Sequence, residues 1–283
     1  MYSAQITRQN PTCIILLLDQ SRSMMDMIAN ARKADFVANT VNHTLHDLVI
    51  RCTKTEEVRD YYSVACIGYS GRGVASAFTG ALANRRLTPI SQIAEYPARI
   101  ETRFKRVPDG AGGIIEQPVR LPVWIDPVAD GGTPMCAAFA EAKAIASEWT
   151  AQHPRGFPPV VLNLTDGESS DGDPRAIGHE IMQIATADGE VLIFNCHVSA
   201  RRSNKVEYPS EPRGLPDEFA NTLFEISSVL PESFRNAGIQ LGARVEDGSR
   251  GLVCNADPSA IVQFYEIGTS LTGMAPHRWM DGS

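Results

Sequence analysis

A continuous apolar run that ends in an acidic residue constrains the fold more than any other stretch of the sequence. Residues 14–18 are all apolar, and Asp19 follows them directly. A run of this length, bounded by polar residues, is typical of a strand buried on both faces in a parallel sheet. Ser21 and Ser23 come next, at alternate positions. Because ligands in open α/β sheets bind at the carboxyl ends of the strands, this loop is predicted to lie at a binding edge.

Strands and helices are predicted to alternate along the chain. Apolar residues recur at helical spacing over 24–50, which predicts a long amphipathic helix directly after the first strand. Further strands are predicted at 61–69, 74–78, 158–165, 190–198 and 250–255, and further helices at 133–152, 174–187 and 258–271. This alternation predicts an α/β fold with a mainly parallel central sheet, helices on both of its faces and one antiparallel edge strand.

The alternation runs through the sequence with no linker, which predicts a single domain over residues 1–283. With 43% hydrophobic and 21% charged residues, the composition is that of a soluble globular chain with a sizeable core. Prolines interrupt residues 80–130, so an inserted hairpin or irregular arm is predicted there. The arm is locally basic, which indicates either a solvated hairpin face or a docking surface for an acidic partner or a nucleic-acid backbone. Its basic residues are Arg99, Arg103, Lys105, Arg106 and Arg120.

Charge and cysteine usage indicate a cytoplasmic protein. The formal net charge of −7 argues against nucleic acid as the usual partner. No signal peptide precedes the first strand and no segment approaches about 20 apolar residues, so neither secretion nor a membrane span is expected. The six cysteines form no CxxC pair, and most of them lie in strand-like apolar runs, which predicts buried reduced thiols.

Two later residues are predicted to join Asp19 and the two serines at one edge of the sheet. Thr133 lies on a Gly-Gly loop at a helix start, and Asp166 follows a buried strand. In a parallel sheet both positions fall at the carboxyl ends of strands. Two carboxylates and three hydroxyls are hard oxygen donors of the kind that Mg²⁺ prefers, with some of them acting through water. Asp19, Ser21, Ser23, Thr133 and Asp166 are therefore predicted to form a site for Mg²⁺, with Mn²⁺ or Ca²⁺ as alternatives.

Structural roles are the alternative interpretation of these residues. Ser23 followed by Asp26 matches a capping box, and Thr133 with Pro134 suits the N-cap and first position of a helix. These roles leave Asp19 unexplained at the end of a buried strand. The metal site is therefore favoured.

Enzymatic and second-metal interpretations have weaker support. Asp19 as a phosphoaspartate nucleophile would need a second acid two residues on, but Ser21 stands there, so a general acid is lacking. Asp171 and Asp173 resemble a fragment of a Ca²⁺ loop without its full ligand spacing, so a solvated acidic rim is favoured.

Three motifs in the order of the chain resemble one known family. Segment 19–23 (DQSRS) resembles the Asp-x-Ser-x-Ser signature of von Willebrand factor A domains, which carry a metal-ion-dependent adhesion site. Segment 132–134 (GTP) resembles the threonine loop of that family, and 165–167 (TDG) resembles its distal aspartate loop. Segments 16–24, 131–135 and 223–234 look most like the stand-alone bacterial intracellular branch of tellurite-resistance Y-type proteins, although Gln20 replaces a more usual small residue.

The resemblance implies a Rossmann-like fold and a non-enzymatic, Mg²⁺-dependent protein-binding module. It implies that Ser21 and Ser23 bind the metal directly, Thr133 directly or through water, and Asp19 and Asp166 largely through water. A partner protein's Asp or Glu would complete the coordination shell. It further implies an intracellular complex from a stress-response or defence operon, with a kinase, phosphatase or AAA-type ATPase encoded nearby. The alternatives are a metal-dependent phosphoesterase-like enzyme, or a scaffold with a purely structural metal whose basic arm binds the partner.

Overall fold

The computed structural model describes residues 2–108, 113–199 and 205–270. Its strands are β1 (Thr12–Asp19), β2 (Met27–Ile28), β3 (Ala31–Arg32), β4 (Thr53–Lys54), β5 (Glu57–Val58), β6 (Tyr62–Ser70), β7 (Gly73–Ser76), β8 (Thr88–Pro89), β9 (Arg99–Pro108), β10 (Ile114–Val123), β11 (Val160–Thr165), β12 (Leu192–Val198), β13 (Val206–Glu207) and β14 (Leu252–Ala256). Its helices are α1 (Lys33–Cys52), α2 (Ile90–Glu95), α3 (Met135–Gln152), α4 (Arg175–Met182), α5 (Glu218–Glu225), α6 (Glu232–Gln240) and α7 (Pro258–Gly268). In these described ranges, no helix is long and apolar enough to cross a membrane.

The central sheet has eight strands within the described residues, and its order is β13-β14-β12-β11-β1-β6-β7, with β8 also paired to β6. Strands β6, β1, β11, β12 and β14 run parallel to one another. This arrangement confirms the predicted α/β fold with a mainly parallel sheet. One antiparallel edge strand was predicted, and the described residues contain more than one. Strands β7 and β8 pair antiparallel with β6 at one side of the sheet, and β13 pairs antiparallel with β14 at the other. The two-residue strand β13 lies in a polar segment of the sequence, which gives no strand pattern. Its pairing places β14 inside the sheet instead of at its edge.

Helices cover both faces of this sheet, as the apolar run in β1 requires. Ile14, Leu16 and Leu18 face a core shared with α1, α6 and α7. The intervening residues Ile15 and Leu17 face a second core shared with α3, α4 and α5. Every residue of β1 is buried, because successive side chains of a strand point to opposite faces and here both faces are covered.

Strand β1 lies where the order of the sheet reverses. The chain passes from β1 to β6 on one side, and β11 later takes the position on the other side. In open α/β sheets the loops diverge at such a point and leave a crevice at the carboxyl ends of the strands, which is where ligands bind. The loops after β1 and β11 meet at this crevice.

The helix predicted over 24–50 begins later than expected. A single-turn 3₁₀ helix at Arg22–Met25 and the small hairpin β2–β3 come first, and α1 starts at Lys33. Ala29 takes a left-handed conformation with φ of 50°, at the turn of the hairpin, which a continuing helix cannot accommodate. The apolar spacing was misleading because Met24 and Ile28 are buried in the core although Met24 lies in the 3₁₀ turn and Ile28 in β2, and neither lies in α1.

A ladder of buried polar side chains crosses the sheet on the side of α3 and α5. Tyr69 donates its hydroxyl to Asn163 Oδ1 at 2.9 Å, and Asn163 Nδ2 donates to Asn195 Oδ1 at 2.9 Å. Asn195 Nδ2 in turn donates to Ser227 Oγ at 2.9 Å and to the carbonyl of Ile226 at 3.3 Å. Because buried polar groups are costly without partners, this chain of bonds fixes β6, β11, β12 and the end of α5 relative to one another.

The hairpin of β9 and β10 forms a sheet of its own, outside the central sheet. Leu121 and Val123 bury its base. Ile100 near the base, Phe104 in the middle of β9 and Ile114 near the tip are 48%, 66% and 73% exposed. Ile100 and Phe104 are four residues apart on β9, and Ile114 pairs with Pro108, which is four residues further along the same strand. Because alternate residues of a strand share a face and directly paired residues lie on the same face, the three share one face of the hairpin. The hairpin thus carries an exposed apolar face.

Acidic neighbours pair with the basic residues at the base of this hairpin. Arg99 contacts Glu101 at 2.8 Å and Asp126 at 2.7 Å. Arg103 contacts Glu101 at 3.0 Å and also bonds to the side chain of Asn39 on α1. The side chains of Lys105 and Arg106 lie outside the described part of the structure. The basic patch predicted from sequence is therefore internally paired at its base.

Candidate metal centre

The carboxylate of Asp19 joins the ends of β1 and β11. Its Oδ1 accepts a hydrogen bond from the amide of Ser21 at 2.8 Å, and its Oδ2 accepts from the Thr165 hydroxyl at 2.8 Å and the Asp166 amide at 3.4 Å. The residue is 1% exposed. Burial raises the pKa of Asp19 to about 6, and the nearby Asp166 charge adds to this rise, while the hydrogen bonds from Ser21 and Thr165 oppose it.

The two serine hydroxyls and the second carboxylate follow in a line. Ser21 Oγ lies 2.9 Å from Ser23 Oγ, and Ser23 Oγ donates to Asp166 Oδ1 at 2.6 Å. The capping-box interpretation of Ser23 was wrong, because the 3₁₀ turn has Ser21 at its N-cap position and no side chain bonds to its amides. Ser21, Ser23 and Asp166 thus contact one another at the edge where Asp19 lies.

Main-chain groups of Thr133 hold the threonine loop at this edge of the sheet. Its amide donates to Ser170 Oγ at 3.0 Å, and its carbonyl accepts from the Ser170 amide at 2.9 Å. These two bonds join the threonine loop to the loop that follows β11, which carries Asp166. The Thr133 residue is 7% exposed.

The N-cap role predicted for Thr133 was also wrong, because Pro134 occupies that position at the start of α3. Asp171 supplies the cap from the neighbouring loop: its carboxylate accepts from the amides of Cys136 at 3.0 Å and Ala137 at 2.9 Å. The pKa of Asp171 is lowered, because these hydrogen bonds outweigh the opposing effect of burial. Asp171 therefore has a structural role, whereas Asp173 is exposed and pairs with Arg175 at 3.0 Å.

Backbone hydrogen bonds brace the loops on the other side of the crevice. Asp130 donates its amide to the Gln20 carbonyl at 2.7 Å, and Arg22 donates to the Gly131 carbonyl at 2.9 Å. Gly71 donates to the Asp130 carbonyl at 2.9 Å. A Cβ at Gly71 would lie 2.6 Å from Gly131 Cα, which is closer than atoms can approach. Gly131 also has a positive φ of 65°, so glycine is required at this crossing.

The unusual Gln20 has an explanation in the neighbouring strand. Its side chain packs over Gly68, where a Cβ would lie 2.2 Å from Gln20 Oε1. The absence of a side chain at Gly68 therefore makes room for a large residue in the serine loop, and the loop keeps its bonds to Asp130 and Gly131.

Lys33 is part of the same cluster and was missed by sequence reasoning. Its Nζ lies 2.8 Å from Asp166 Oδ2, and the side chains are 4% and 0% exposed. Its Nζ also lies 3.6 Å from the carboxylate of Asp26, which is 64% exposed. The only sequence signal was indirect: Ala29-Asn30 interrupts the predicted helix with a turn, so that Lys33 begins a helix at the crevice.

The donor set suits a hard divalent cation. Ser21 donates to Ser23 and Ser23 donates to Asp166, so both hydroxyl oxygens retain a lone pair for a cation. Positive charge nearby would also favour the ionised form of the buried Asp19 carboxylate. Among the described residues, no group of three or more His, Cys, Asp or Glu side chains is arranged for a metal. Cation binding at this edge would therefore depend on serine and threonine hydroxyls together with two carboxylates.

Comparison with known proteins gives likenesses at low sequence identity. No family model and no curated protein matches the chain. The proximal thread matrix protein 1 of the mussel byssus is 12% identical with a TM-score of 0.45, over 94% of this chain and 49% of that protein. The pilus adhesin SpaC of Lactobacillus rhamnosus GG is 15% identical with a TM-score of 0.38, over 67% and 25%. The manganese-loaded TRAP protein of Plasmodium vivax is 11% identical with a TM-score of 0.31, over 67% and 58%. This chain spans less than two thirds of each, and its fold is assigned from its own sheet topology.

Proposed function

We propose that this chain is a metal-dependent protein-binding module of the von Willebrand factor A type. The observation that carries the proposal is the contiguous oxygen cluster of Asp19, Ser21, Ser23 and Asp166 at the switch point of the sheet. The sequence motifs of that family fall on these residues. When bound, Mg²⁺ or Mn²⁺ would supply an electrophilic coordination position for a carboxylate of another protein.

The residues of the cluster divide the work of holding such a cation. Ser21 and Ser23 would provide direct oxygen ligands, with Thr133 on the third loop as a further hydroxyl. Asp19 would hold the serine loop through its bond to the Ser21 amide, at 2.8 Å, and supply negative charge from its buried position at the end of β1. Asp166 would orient the Ser23 hydroxyl. An Asp or Glu side chain of the partner would fill the remaining position.

The proposed setting follows from the resemblance. Such a module would assemble a cytoplasmic complex, with a kinase, a phosphatase or an AAA-type ATPase from the same operon as the partner. No catalytic role is assigned to the cluster. Affinity capture from cells, with and without EDTA, would identify the partner, and capture that is undiminished in EDTA would contradict the proposed function.

Replacing Ser23 by Ala should weaken Mn²⁺ binding by about 10- to 100-fold, because a direct ligand and the bond to Asp166 are both lost. Electron paramagnetic resonance of free Mn²⁺ measures the affinity directly. The matched control is Ser169→Ala on the neighbouring loop, which removes a 2.8 Å bond to Asp171 and a 3.6 Å contact with Cys136 Sγ and should leave Mn²⁺ affinity within about twofold. Equal affinities for the two variants would exclude Ser23 as a ligand.

Shortening the hairpin of β9 and β10 should leave Mn²⁺ binding unchanged. Glu101 and Leu121 face each other across the two strands, so an Asn-Gly turn can join them in place of residues 102–120. The buried Leu121 and Val123 at the base are kept. Loss of partner capture with intact metal binding would assign the docking surface to the hairpin, whereas capture that survives would place it at the metal. Reduced Mn²⁺ affinity in the shortened chain would contradict the expected result.

A further inference from the structure

A buried ammonium group shares a carboxylate with the proposed metal ligands. Asp166 presents Oδ2 to Lys33 Nζ at 2.8 Å and Oδ1 to Ser23 Oγ at 2.6 Å. Neither the lysine nor the aspartate side chain is more than 4% exposed. Screening by water is weak at such a position, so the fixed charge of Lys33 acts on anything bound beside the serines.

The buried charges of the cluster do not sum to zero. Asp19 and Asp166 are two carboxylates, and Lys33 is one ammonium, so one negative charge remains in excess. A divalent cation reverses this excess to one positive charge. Only a further anion, such as one carboxylate, brings the buried cluster to neutrality. Without Lys33, the two carboxylates and a divalent cation would already balance, and a carboxylate from outside would be in excess.

We propose that Lys33 is a specificity-determining residue that couples metal binding to capture of an anionic partner group. The lysine weakens the binding of the metal alone, and it strengthens the binding of a carboxylate to the metal-loaded site. The inference rests on the proposed function, because it concerns the same cation and the same partner chemistry. It assigns to this chain a residue that lies outside the motifs of the serine, threonine and aspartate loops.

Asp26 supplies an internal control for this proposal. Its carboxylate lies 3.6 Å from Lys33 Nζ, but it is 64% exposed, so water screens its charge. Asp26→Asn should therefore change Mn²⁺ affinity by no more than about twofold. Asp26 and Asp166 both lie near the Lys33 ammonium group, but only Asp166 is buried. The Asp26 variant therefore shows how little an exposed charge at this position contributes.

The test compares Lys33→Met, which keeps much of the side-chain length without its charge, with Lys33→Arg and the wild-type chain. Mn²⁺ is titrated alone, followed by a capped Gly-Glu-Gly peptide at saturating Mn²⁺, with capped Gly-Gln-Gly as the uncharged comparison. Lys33→Met should bind Mn²⁺ about tenfold more tightly and the Glu peptide about tenfold more weakly. Lys33→Arg should restore both affinities towards the wild type, since its charge is fixed.

Thermal unfolding gives a second readout. Without metal, Lys33→Met leaves two buried carboxylates uncompensated, so its Tm should fall, and Mn²⁺ should raise it by more than it raises the wild-type Tm. If this variant folds only with Mn²⁺, the inference is supported; if Mn²⁺ does not recover it, the inference fails. A folded Lys33→Met with unchanged Mn²⁺ and peptide affinities also overturns the inference. Mn²⁺ binding by Lys33→Met but not by wild type supports it, whereas binding by neither chain overturns both this inference and the proposed function.

Discussion

Replacing Asp19 by Asn should reduce Mn²⁺ affinity by about 100-fold, because the substitution removes buried negative charge and misplaces the serine loop together. Both carboxylate oxygens of Asp19 accept hydrogen bonds, from the Ser21 amide at 2.8 Å and from the Thr165 hydroxyl at 2.8 Å. An Asn amide nitrogen cannot accept, so in either orientation it faces a backbone N–H, that of Ser21 or that of Asp166, although the Thr165 hydroxyl can turn to the Gly167 carbonyl. Two effects on the free energy of unfolding without metal oppose each other. The lost hydrogen bond lowers it by about 1–3 kcal/mol, whereas removal of a buried carboxylate whose pKa is raised to about 6 increases it.

The matched control for Asp19→Asn is Asp173→Asn. Asp173 is an exposed carboxylate on the loop after β11, and its bond to Arg175 at 3.0 Å lies away from the serines. Its loss should leave Mn²⁺ affinity within about twofold. Isothermal titration measures metal affinity in both variants, and circular dichroism checks the fold. Tight Mn²⁺ binding by a folded Asp19→Asn chain would show that the cation binds elsewhere.

Replacing Asn195 by Leu should destabilise the chain by about 2–3 kcal/mol, with a Tm lower by roughly 5–10 °C. The leucine has the same branching and the same number of side-chain heavy atoms, but it leaves Asn163 Nδ2 and Ser227 Oγ without their side-chain partners in a fully buried region. The cost arises from the desolvation of groups that lose their bonds rather than from an empty space. Chemical denaturation in EDTA measures the difference without a contribution from metal.

A double substitution identifies the origin of this cost. When Asn163 and Asn195 are both replaced by Leu, no unsatisfied amide remains between the strands, so the double variant should lose less than the sum of the two single variants. Asn236→Leu is the control, since Asn236 is exposed on α6. It should change stability by no more than about 0.5 kcal/mol. Additive losses in the double variant would contradict the coupling.

Local sequence patterns predicted those strands and helices whose buried residues follow one another in a regular pattern along the chain. The apolar run of β1, its acidic end and the strand before Asp166 were enough to predict an α/β sheet with an oxygen cluster at one edge. The parallel sheet then brings Asp19 and Asp166 together, because β1 and β11 are neighbours in register. The contacts among the serines follow from that pairing.

Residues that depend on long-range contacts escaped prediction. Lys33 occupies a position that read as part of a continuous helix, and only the turn at Ala29 places it beside Asp166. Asn163 and Asn195 lie within apolar strands, where their pairing depends on the register of β11 against β12. A single sequence contains the propensities of each segment but not the register between segments, so charge pairs and buried ladders of this kind become visible only in three dimensions.

The crossing of Gly71 and Gly131 ties three loops together at one wall of the crevice. The loops of Gln20, Gly71 and Gly131 touch backbone to backbone, so none of them can shift without moving the others. The loop after β11, which carries Asp166, is joined to the threonine loop by two bonds between Ser170 and Thr133, one through the Ser170 side chain and one through its main chain. Asp171 on that same loop caps the first turn of α3, so a shift of the loop after β11 would be transmitted both to Thr133 and to the start of α3.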